Sequence, residues 1–254
     1  MTEYNGAMCI TFAERIENHV GMEMVGDLSE SGWSCEKLKE IQQELENSCI
    51  ETKIINLNDL LPDVETEPAC VLVIRNFVEH YCGLSDKNVY NKLKTLKWDK
   101  KALMRGRVVN KHARWNLCFA DFSQEPAYEL GKGRIYTFGE AGLEEIRECV
   151  NYLMDDKLLA EGNYYYNSDK TGINLHGDSE RRKVFGVNFA SEGCERYLAY
   201  QWFHRSKPVS EKTFIKLKAG DAYIMSEKAT GNDWKKSSKY TLRHAAGTLK
   251  FLNK

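Results

Sequence analysis

The stretch GINLHGDSERRKVFGVNFA, residues 172–190, carries both a fold signal and a chemical signal. Residues 184–190 alternate between large apolar side chains and smaller or polar ones. A period of two is typical of a β-strand. Just before them, His176 and Asp178 stand two positions apart, and residues two apart on a strand face the same side. The stretch therefore predicts a strand-rich fold in which these two side chains converge on one point.

The chain after this stretch continues in the same way. Its segments RYLAYQWF (196–203), KTFIKLK (212–218) and DAYIMS (221–226) are rich in aromatic and β-branched residues, and polar turns separate them. Several short strands spaced in this way predict a β-sandwich or a jelly roll. We interpret Trp202 and Phe203 as part of the core of one strand.

The chain before the stretch contains helical patterns. Apolar residues recur at intervals of three and four within residues 34–48, 86–98 and 142–153, which predicts three amphipathic helices. The apolar segment 69–81 fits either a buried strand or a short helix. The predicted class is therefore α+β, with a helix-rich accessory region over residues 1–100 and a β-rich domain over residues 101–254.

Charge is distributed unevenly along the accessory region. Residues 1–84 carry a net charge of −11, whereas residues 85–114 carry ten Lys and Arg against two Asp, a net charge of +8. A polyanion such as a nucleic acid would be attracted to the second block. The alternative is that the two blocks are ordinary solvated faces, docked on each other.

Composition limits the cellular setting. The chain has no run of 18 uncharged apolar residues, so no membrane partner is expected. The first residues are acidic where a signal peptide would be basic, and the eight cysteines are scattered without a CxxC motif. We expect a cytoplasmic or nuclear protein with reduced thiols that is not secreted.

A second histidine completes the chemical signal. His244 follows His176 by 68 residues, within TLRHAAG (241–247). Two histidines and one carboxylate on one side of an ion form the facial triad of non-haem Fe(II) oxygenases, which leaves positions for a bidentate oxoacid and O2. The alternative interpretation is a core histidine and an Asp in a turn. We predict that His176, Asp178 and His244 are metal ligands and catalytic residues.

Several motifs in order carry a more specific resemblance. The segment NYYYNSDKTGINLHGDSERRKVFGVNFA (163–190) is followed by YQWF, by LKAGDAYIMSEKATGNDW (217–234) and by TLRHAAG. This series resembles the AlkB-like 2-oxoglutarate/Fe(II) dioxygenases, in particular a branch found in algae, fungi and large DNA viruses. The resemblance covers roughly residues 104–247 and is weaker over 105–126.

The resemblance implies a fold, an activity and cofactors. The implied catalytic core is a double-stranded β-helix, a jelly-roll barrel with the iron at its mouth. The implied reaction uses Fe(II), 2-oxoglutarate and O2 to hydroxylate an alkyl group on a nucleobase, after which the hydroxymethyl group leaves as formaldehyde. DNA or RNA would then be the substrate, in repair or demethylation.

The resemblance also implies roles for individual residues. Asn163 and Tyr165 match an Asn-x-Tyr pattern that contacts 2-oxoglutarate, although the spacing to His176 is slightly longer than in the family. The alternative roles are a turn Asn and a packing aromatic. Glu180 matches an acid that meets the target base. Its alternative role is a surface charge that pairs with Arg181 or Arg182.

One expected element is missing from its family position. These enzymes hold the far carboxylate of 2-oxoglutarate with an Arg on the strand after the second His, and no Arg follows His244 here. Because a carboxylate needs a cation, we consider Lys254, Lys250 and Arg243 as candidates, with Arg182 as a further possibility.

The substrate side of the prediction rests on the basic block. It runs into the start of the resemblance, where family members carry substrate-facing lid loops. We predict phosphate contacts from basic residues of this block and a stacking surface from an aromatic one, unless the latter belongs to the core: Arg105, Arg107, Lys111, Arg114 and Trp115. The polar loop EKATGNDWKKSSK (227–239) is predicted to border the site.

Two other functions remain open at this level. Prolyl-type protein hydroxylases and small-molecule hydroxylases share the jelly roll and the triad. A non-catalytic nucleic-acid-binding module on the same fold is the third possibility.

Overall fold

The computed structural model of the protein describes residues 6–168 and 170–253. Within these ranges the chain forms β-strands and α-helices in mixed order, which confirms the predicted α+β class. The strands of the first half are β1 (Ala7–Ala13), β2 (Arg15–Glu17), β3 (Met24–Gly26), β4 (Thr52–Asn56), β5 (Cys70–Ile74), β6 (Lys101–Met104), β7 (Arg107–Asn110) and β8 (Trp115–Ala120).

The strands of the second half are β9 (Ile135–Thr137), β10 (Leu159–Tyr165), β11 (Ile173–His176), β12 (Val184–Ala190), β13 (Arg196–His204), β14 (Lys207–Pro208), β15 (Thr213–Leu217), β16 (Ala222–Met225) and β17 (Thr241–Gly247). The helices are α1 (Cys35–Asn47), α2 (Asp86–Lys94), α3 (Phe138–Ala141), α4 (Glu144–Met154), α5 (Glu227–Thr230) and α6 (Leu249–Leu252). Single turns of other helical types cover Asn58–Leu60, Phe77–Tyr81 and Tyr128–Leu130.

Two sheets dominate the architecture. The large sheet has the order β4-β5-β16-β12-β1-β10-β8-β9, and its neighbours are antiparallel except for β8 and β9. The second sheet has the order β11-β17-β13-β14, with β15 paired to β13. Two hairpins, β2–β3 and β6–β7, stand apart from both sheets.

The centre of the large sheet is formed by β1. It pairs with β10 on one side and with β12 on the other, and all of its residues are buried. Alternate residues of β1 therefore contribute to two different layers. Met8, Ile10 and Phe12 belong to the core under the helices, whereas Cys9 faces the second sheet.

Each face of the large sheet buries a different partner. On one face, apolar residues of α1, α2 and α4 pack against β1, β5 and β12. On the other face, Val73 and Tyr223 pack against Leu198, Tyr200 and Trp202 of the second sheet. The protein is thus a sandwich of two sheets with helices over one outer face, and the candidate site residues described below lie between the sheets.

The helices follow the predicted amphipathic patterns. The α1 helix begins after Ser34, whose hydroxyl accepts a hydrogen bond from the Lys37 N–H at 3.2 Å, as an N-cap residue does. Its apolar stripe, Leu38, Ile41 and Leu45, is buried. The predictions over 86–98 and 142–153 correspond to α2 and α4. No helix among the described residues has the length and apolar content needed to span a lipid bilayer.

The first hundred residues differ from the predicted helix-rich accessory region. Besides α1 and α2 they provide three strands of the large sheet, β1, β4 and β5. In that sheet β5 pairs with β16, and β1 lies between β12 and β10, so strands from before and after residue 100 pair with each other. A strand buried on both faces reads as a continuous apolar run such as AMCITFA, so no period of two marks it in the sequence. The ambiguous segment 69–81 forms both β5 and a short helical turn.

The position of β1 predicts how a fragment behaves. We expect residues 101–254 expressed alone not to fold cooperatively, because without residues 1–100 the edges of β10, β12 and β16 lose their partners. Circular dichroism during thermal unfolding measures this, with the full chain as the control. A cooperative unfolding transition of the fragment would instead establish a domain boundary near residue 100.

Candidate metal centre

Three side chains with metal-binding chemistry meet between the two sheets. His176 ends β11 and pairs in register with His244 of β17, and the two ring centroids are 4.4 Å apart. Asp178 Oδ1 lies 3.4 Å from His176 Nε2 and 3.6 Å from His244 Nε2. One ligand atom from each residue lies within 4.8 Å of the others, so the group could hold a metal ion.

Asp178 reaches this group from a turn and not from the strand. The β11 strand ends at His176, and the Asp178 N–H donates a hydrogen bond to the Thr230 carbonyl at 2.9 Å. The predicted convergence of the two side chains is therefore correct, but the strand geometry used to derive it is wrong. Gly177 between them passes so close to the 227–239 loop that a Cβ would lie 2.1 Å from the Gly231 carbonyl oxygen.

Hydrogen bonds orient two of the three ligands. His176 Nδ1 lies 2.8 Å from the Asn174 carbonyl oxygen. Because a carbonyl only accepts, Nδ1 carries the proton and the lone pair of Nε2 is free on the side of Asp178. The other oxygen of Asp178, Oδ2, accepts a hydrogen bond from Arg181 Nε at 2.9 Å. One carboxylate oxygen is thereby left for an ion.

Electrostatics keep these ligands in the forms that bind metals. Burial alone would raise the pKa of Asp178, but Arg181 and the two histidines hold the pKa of this carboxyl well below its ordinary value. Burial lowers the pKa of His244, and the neighbouring His176 lowers it further. A carboxylate and a neutral imidazole are the states that coordinate a cation.

A cavity of about 810 Å³ opens in front of the three ligands. The inward residues of β10, namely Glu161, Asn163 and Tyr165, line this cavity, and so does the tip of the β2–β3 hairpin. Trp234 and Lys235 of the 227–239 loop line it as well, so this loop borders the cavity as predicted.

Four of the other predicted residues line the same cavity. Asn163 accepts hydrogen bonds from Arg114 Nε and from Asn116 Nδ2, and the Tyr165 hydroxyl accepts one from Arg196 at 3.3 Å. Glu180 lies beside Arg181, with its Oε1 3.5 Å from an Arg181 nitrogen. The structure therefore brings Asn163, Tyr165, Arg114 and Glu180 to the metal group, while their roles stay predictions.

The remaining predicted substrate contacts lie outside the cavity. Arg105 and Arg107 are exposed on the β6–β7 hairpin. The Trp115 ring stacks on Tyr166 at 4.3 Å, with Lys100 over its other side at 4.1 Å.

Lys111 does not fit the predicted phosphate contact. It is buried, and its ammonium donates to Asn18 Oδ1 at 2.7 Å, which braces the β2–β3 hairpin. Burial lowers the pKa of Lys111 to about 8. The sequence predicts a solvated Lys111 because it belongs to a block of Lys and Arg residues. The packing that buries Lys111 is not visible in the distribution of charge along the chain.

The candidates for the missing cation are also corrected. Arg243 follows the alternation of β17 and points away from the cavity, with its guanidinium 4.0 Å from the Phe203 ring centroid and 5.3 Å from that of Trp234. Lys250 is exposed on α6 and does not line the cavity. Lys254 lies outside the described residues.

Two buried arginines in the cavity were not predicted. Arg181 bridges Asp178 to Glu161 and Glu180. Arg196 is the first residue of β13 and is 3 % exposed. A signal for Arg196 does exist in the sequence, because it shares its parity on the strand with the inward Leu198 and Tyr200.

The cavity is rich in acids close to the hairpin. Glu17, Glu161 and Glu180 all line it, and Arg181 is the cation among them. Burial raises the pKa of Glu17, and burial together with Asp178 raises the pKa of Glu180 to about 7. This part of the cavity offers hydrogen-bond acceptors to a ligand, whereas Arg196 offers donors.

Comparison with known proteins places the chain in a family. It is 45% identical over 259 residues to an uncharacterized protein of Acanthamoeba polyphaga mimivirus, in an alignment that covers 99% of this chain and 100% of the viral protein. The chain belongs to the same family as this viral protein. No family model matches the chain.

The close approach of Gly177 predicts the effect of a single methyl group. We expect Gly177→Ala to weaken metal binding by about 10- to 100-fold and to destabilise the fold by about 1–3 kcal/mol, because the added Cβ meets Gly231 and Trp234. Calorimetric titration with a divalent metal and thermal unfolding measure the two effects. Gly139→Ala, whose Cβ meets nothing within 4 Å, is the control, and equal metal affinity of the two variants would contradict the geometry.

The raised pKa of Glu180 predicts a pH-dependent stability. Since its pKa rises from 4.5 to about 7 on folding, its stabilising contribution is complete below pH 4.5 and is lost as the pH rises through about 7. We expect Glu180→Gln to be more stable than the natural chain at about pH 8 by about 1–3 kcal/mol in metal-free protein.

Denaturant unfolding across this pH range, in the presence of a chelator, tests the Glu180 prediction. The exposed Glu148→Gln serves as the control. A stability difference that does not grow with pH would show that Glu180 is ionised throughout.

Proposed function

We propose that this protein is an AlkB-like dioxygenase that uses Fe(II), 2-oxoglutarate and O2 to oxidise an alkylated or methylated nucleobase in DNA or RNA. The observation that carries the proposal is the group His176, Asp178 and His244 on the wall of an open cavity. An activity requires both a metal site and room beside it for a substrate, and this cavity offers both.

The donor set fits iron. Two imidazoles and one carboxylate suit Fe(II), and the metal-binding group found among the described residues contains no thiolate that would favour zinc. When bound, Fe(II) supplies, with 2-oxoglutarate and O2, the oxidising power that hydroxylates a C–H bond. The protein holds Asp178 ionised through Arg181 and turns His176 through the Asn174 carbonyl, so both ligands are pre-organised.

The order of strands supports a double-stranded β-helix as the finer description of the fold. From β10 to β13 the chain alternates between the two sheets, and β16 and β17 repeat this alternation. The place between β10 and β12 in the large sheet is filled by β1. A strand from early in the chain thus takes a central position in the large sheet, and β17 is followed by the short α6 helix.

The acids near the hairpin fit the polar edge of a base. Glu180 and Glu17, which line the same cavity as the metal-binding group, accept hydrogen bonds from amino or imino groups when ionised. Because the pKa of Glu180 is raised to about 7, this carboxyl also holds a proton at neutral pH in part of the molecules and then donates. Either form can orient a base in front of the metal ligands.

The entrance has features that fit a nucleic acid. Val20 at the hairpin tip is 80 % exposed and Met24 is 49 % exposed, and both line the cavity together with Trp234. Lys235 lies on the same rim as Trp234. A base taken out of its stack needs such surfaces, and its phosphates need cations.

The basic β6–β7 hairpin lies beside this entrance. Lys111, which follows β7, donates to Asn18 of the β2–β3 hairpin, so the two hairpins are tied together. Exposed Lys101, Arg105 and Arg107 extend the positive surface away from the mouth. This arrangement supports a phosphate track that leads to the cavity.

The test of the proposed function is direct. The Fe(II)-loaded protein is incubated with 2-oxoglutarate and a panel of methylated DNA and RNA oligonucleotides, and mass spectrometry follows lost methyl groups or added oxygen. Salt-sensitive binding of the oligonucleotides is expected as well. Turnover on a peptide or small molecule without nucleic-acid binding would identify a hydroxylase on the same fold, and metal binding without any turnover would identify a binding module.

A ligand variant tests the metal group separately. We expect His176→Ala to abolish succinate formation from 2-oxoglutarate, because a neutral ligand is lost from the three. The matched control is His80→Ala, because His80 is exposed and does not line the cavity. Unchanged succinate formation by the His176 variant would refute the assignment of the metal site.

A further inference from the structure

Arg196 is a buried cation that no carboxylate of the described residues neutralises. Its guanidinium donates to Asn188 Oδ1 at 3.2 Å and to the Tyr165 hydroxyl at 3.3 Å, and it lies 4.7 Å from the Tyr165 ring centroid. Its Nε has no hydrogen-bond partner within residues 6–168 and 170–253. Among the described residues, no Asp or Glu forms an ion pair with it.

Other buried arginines of the protein do have acids. Arg181 touches Asp178, Glu161 and Glu180, and Arg147 pairs with Asp121 at 2.6 Å. Taking a cation out of water without a counter-charge costs several kcal/mol, so an isolated one is a marked exception. An arginine that is buried, lines an open cavity and keeps an unused N–H group is what an anion-binding site is expected to contain.

Arg196 lines the same cavity as the metal group. Along β13 it precedes Tyr200, the residue opposite His244, by four positions, which is about 13 Å along a strand. The long arginine side chain and a five-carbon dicarboxylate together span a gap of this size. A ligand that binds the metal through one end can therefore present its other end to Arg196.

We propose that Arg196 binds the far carboxylate of 2-oxoglutarate. The planar guanidinium offers N–H groups in a fork that matches both carboxylate oxygens. The Tyr165 hydroxyl accepts from Arg196, so its own proton is free to donate to the same carboxylate. Asn188, whose Nδ2 donates to the Lys218 carbonyl at 2.8 Å, is a positioning residue that holds the fork in place. This assignment rests on the proposed function.

The central position of β1 explains why the anchor comes from β13. The strand between β10 and β12 is β1, and its inward residues in the cavity are Cys9 and Thr11. Neither carries a charge. Their small side chains leave the space that the Arg196 side chain occupies from the opposite sheet.

A pair of ligands tests the anchor by binding alone. The chain is loaded with Mn(II), a redox-silent substitute for Fe(II), and titrated calorimetrically with 2-oxoglutarate and with 2-oxopentanoate, which has a methyl group in place of the far carboxylate. We expect the natural chain to prefer 2-oxoglutarate by about 100-fold. Arg196→Met is expected to bind both ligands equally, at the affinity of 2-oxopentanoate, whereas Arg196→Lys keeps part of the preference.

Two controls use the cations that the sequence had pointed to. Arg243→Gln and Lys250→Gln are expected to keep the full preference, because neither residue lines the cavity. Thermal unfolding of each variant checks that it is folded. If Arg196→Met does not fold, Arg196→Lys and the comparison of the two ligands on the natural chain still test whether Arg196 binds the far carboxylate.

The outcomes separate this inference from the proposed function. Equal affinity of the natural chain for the two ligands, or an unchanged preference in the Arg196 variants, overturns the anchor while a 2-oxoacid-dependent activity can stand. Failure of the Mn(II)-loaded natural chain to bind 2-oxoglutarate at all overturns both.

Discussion

The pairing of β1 with both β10 and β12 is the constraint on which the rest of the structure depends. Its backbone hydrogen-bonds on one side to β10, which carries Asn163 and Tyr165. On the other side it hydrogen-bonds to β12, which follows the segment that carries Asp178. Its outward side chains anchor the helices, and its small inward ones leave the space between the sheets open. The strand thus closes the scaffold and makes room for the cavity at the same time.

Within that cavity, charge is separated into two regions. Arg181 is surrounded by acids and holds Asp178 in position, while Arg196 lies among Tyr165, Asn188 and other uncharged groups. In a low-dielectric interior such differences in surroundings affect strongly which polar groups of a ligand each region can bind. The proposed function uses both regions, one for a dicarboxylate and one for a substrate with donor groups.

The sequence predicted those features that short spacings determine. The α1 helix, the strands β12, β13, β15 and β16, and the convergence of His176, Asp178 and His244 all follow from local periodicity or from a motif. It did not predict β1, because burial on both faces removes the alternation. It did not predict Arg196 either, because Arg196 lies before His244 in the chain, whereas the family position of the cation lies after it. The actual candidate comes from a neighbouring strand, and only the pairing of strands shows that.

The pairing of β1 has a consequence for how the chain acquires its structure. Thr11 lies opposite Glu161 and Gly186, so β1 leaves the ribosome some 150 to 175 residues before the strands that pair with it. During that time AMCITFA is an apolar segment with unsatisfied backbone groups. Contacts this distant in sequence slow folding and expose the nascent chain to aggregation. Protection of β1 until β10 and β12 have been synthesised, for example by a chaperone, would limit this exposure.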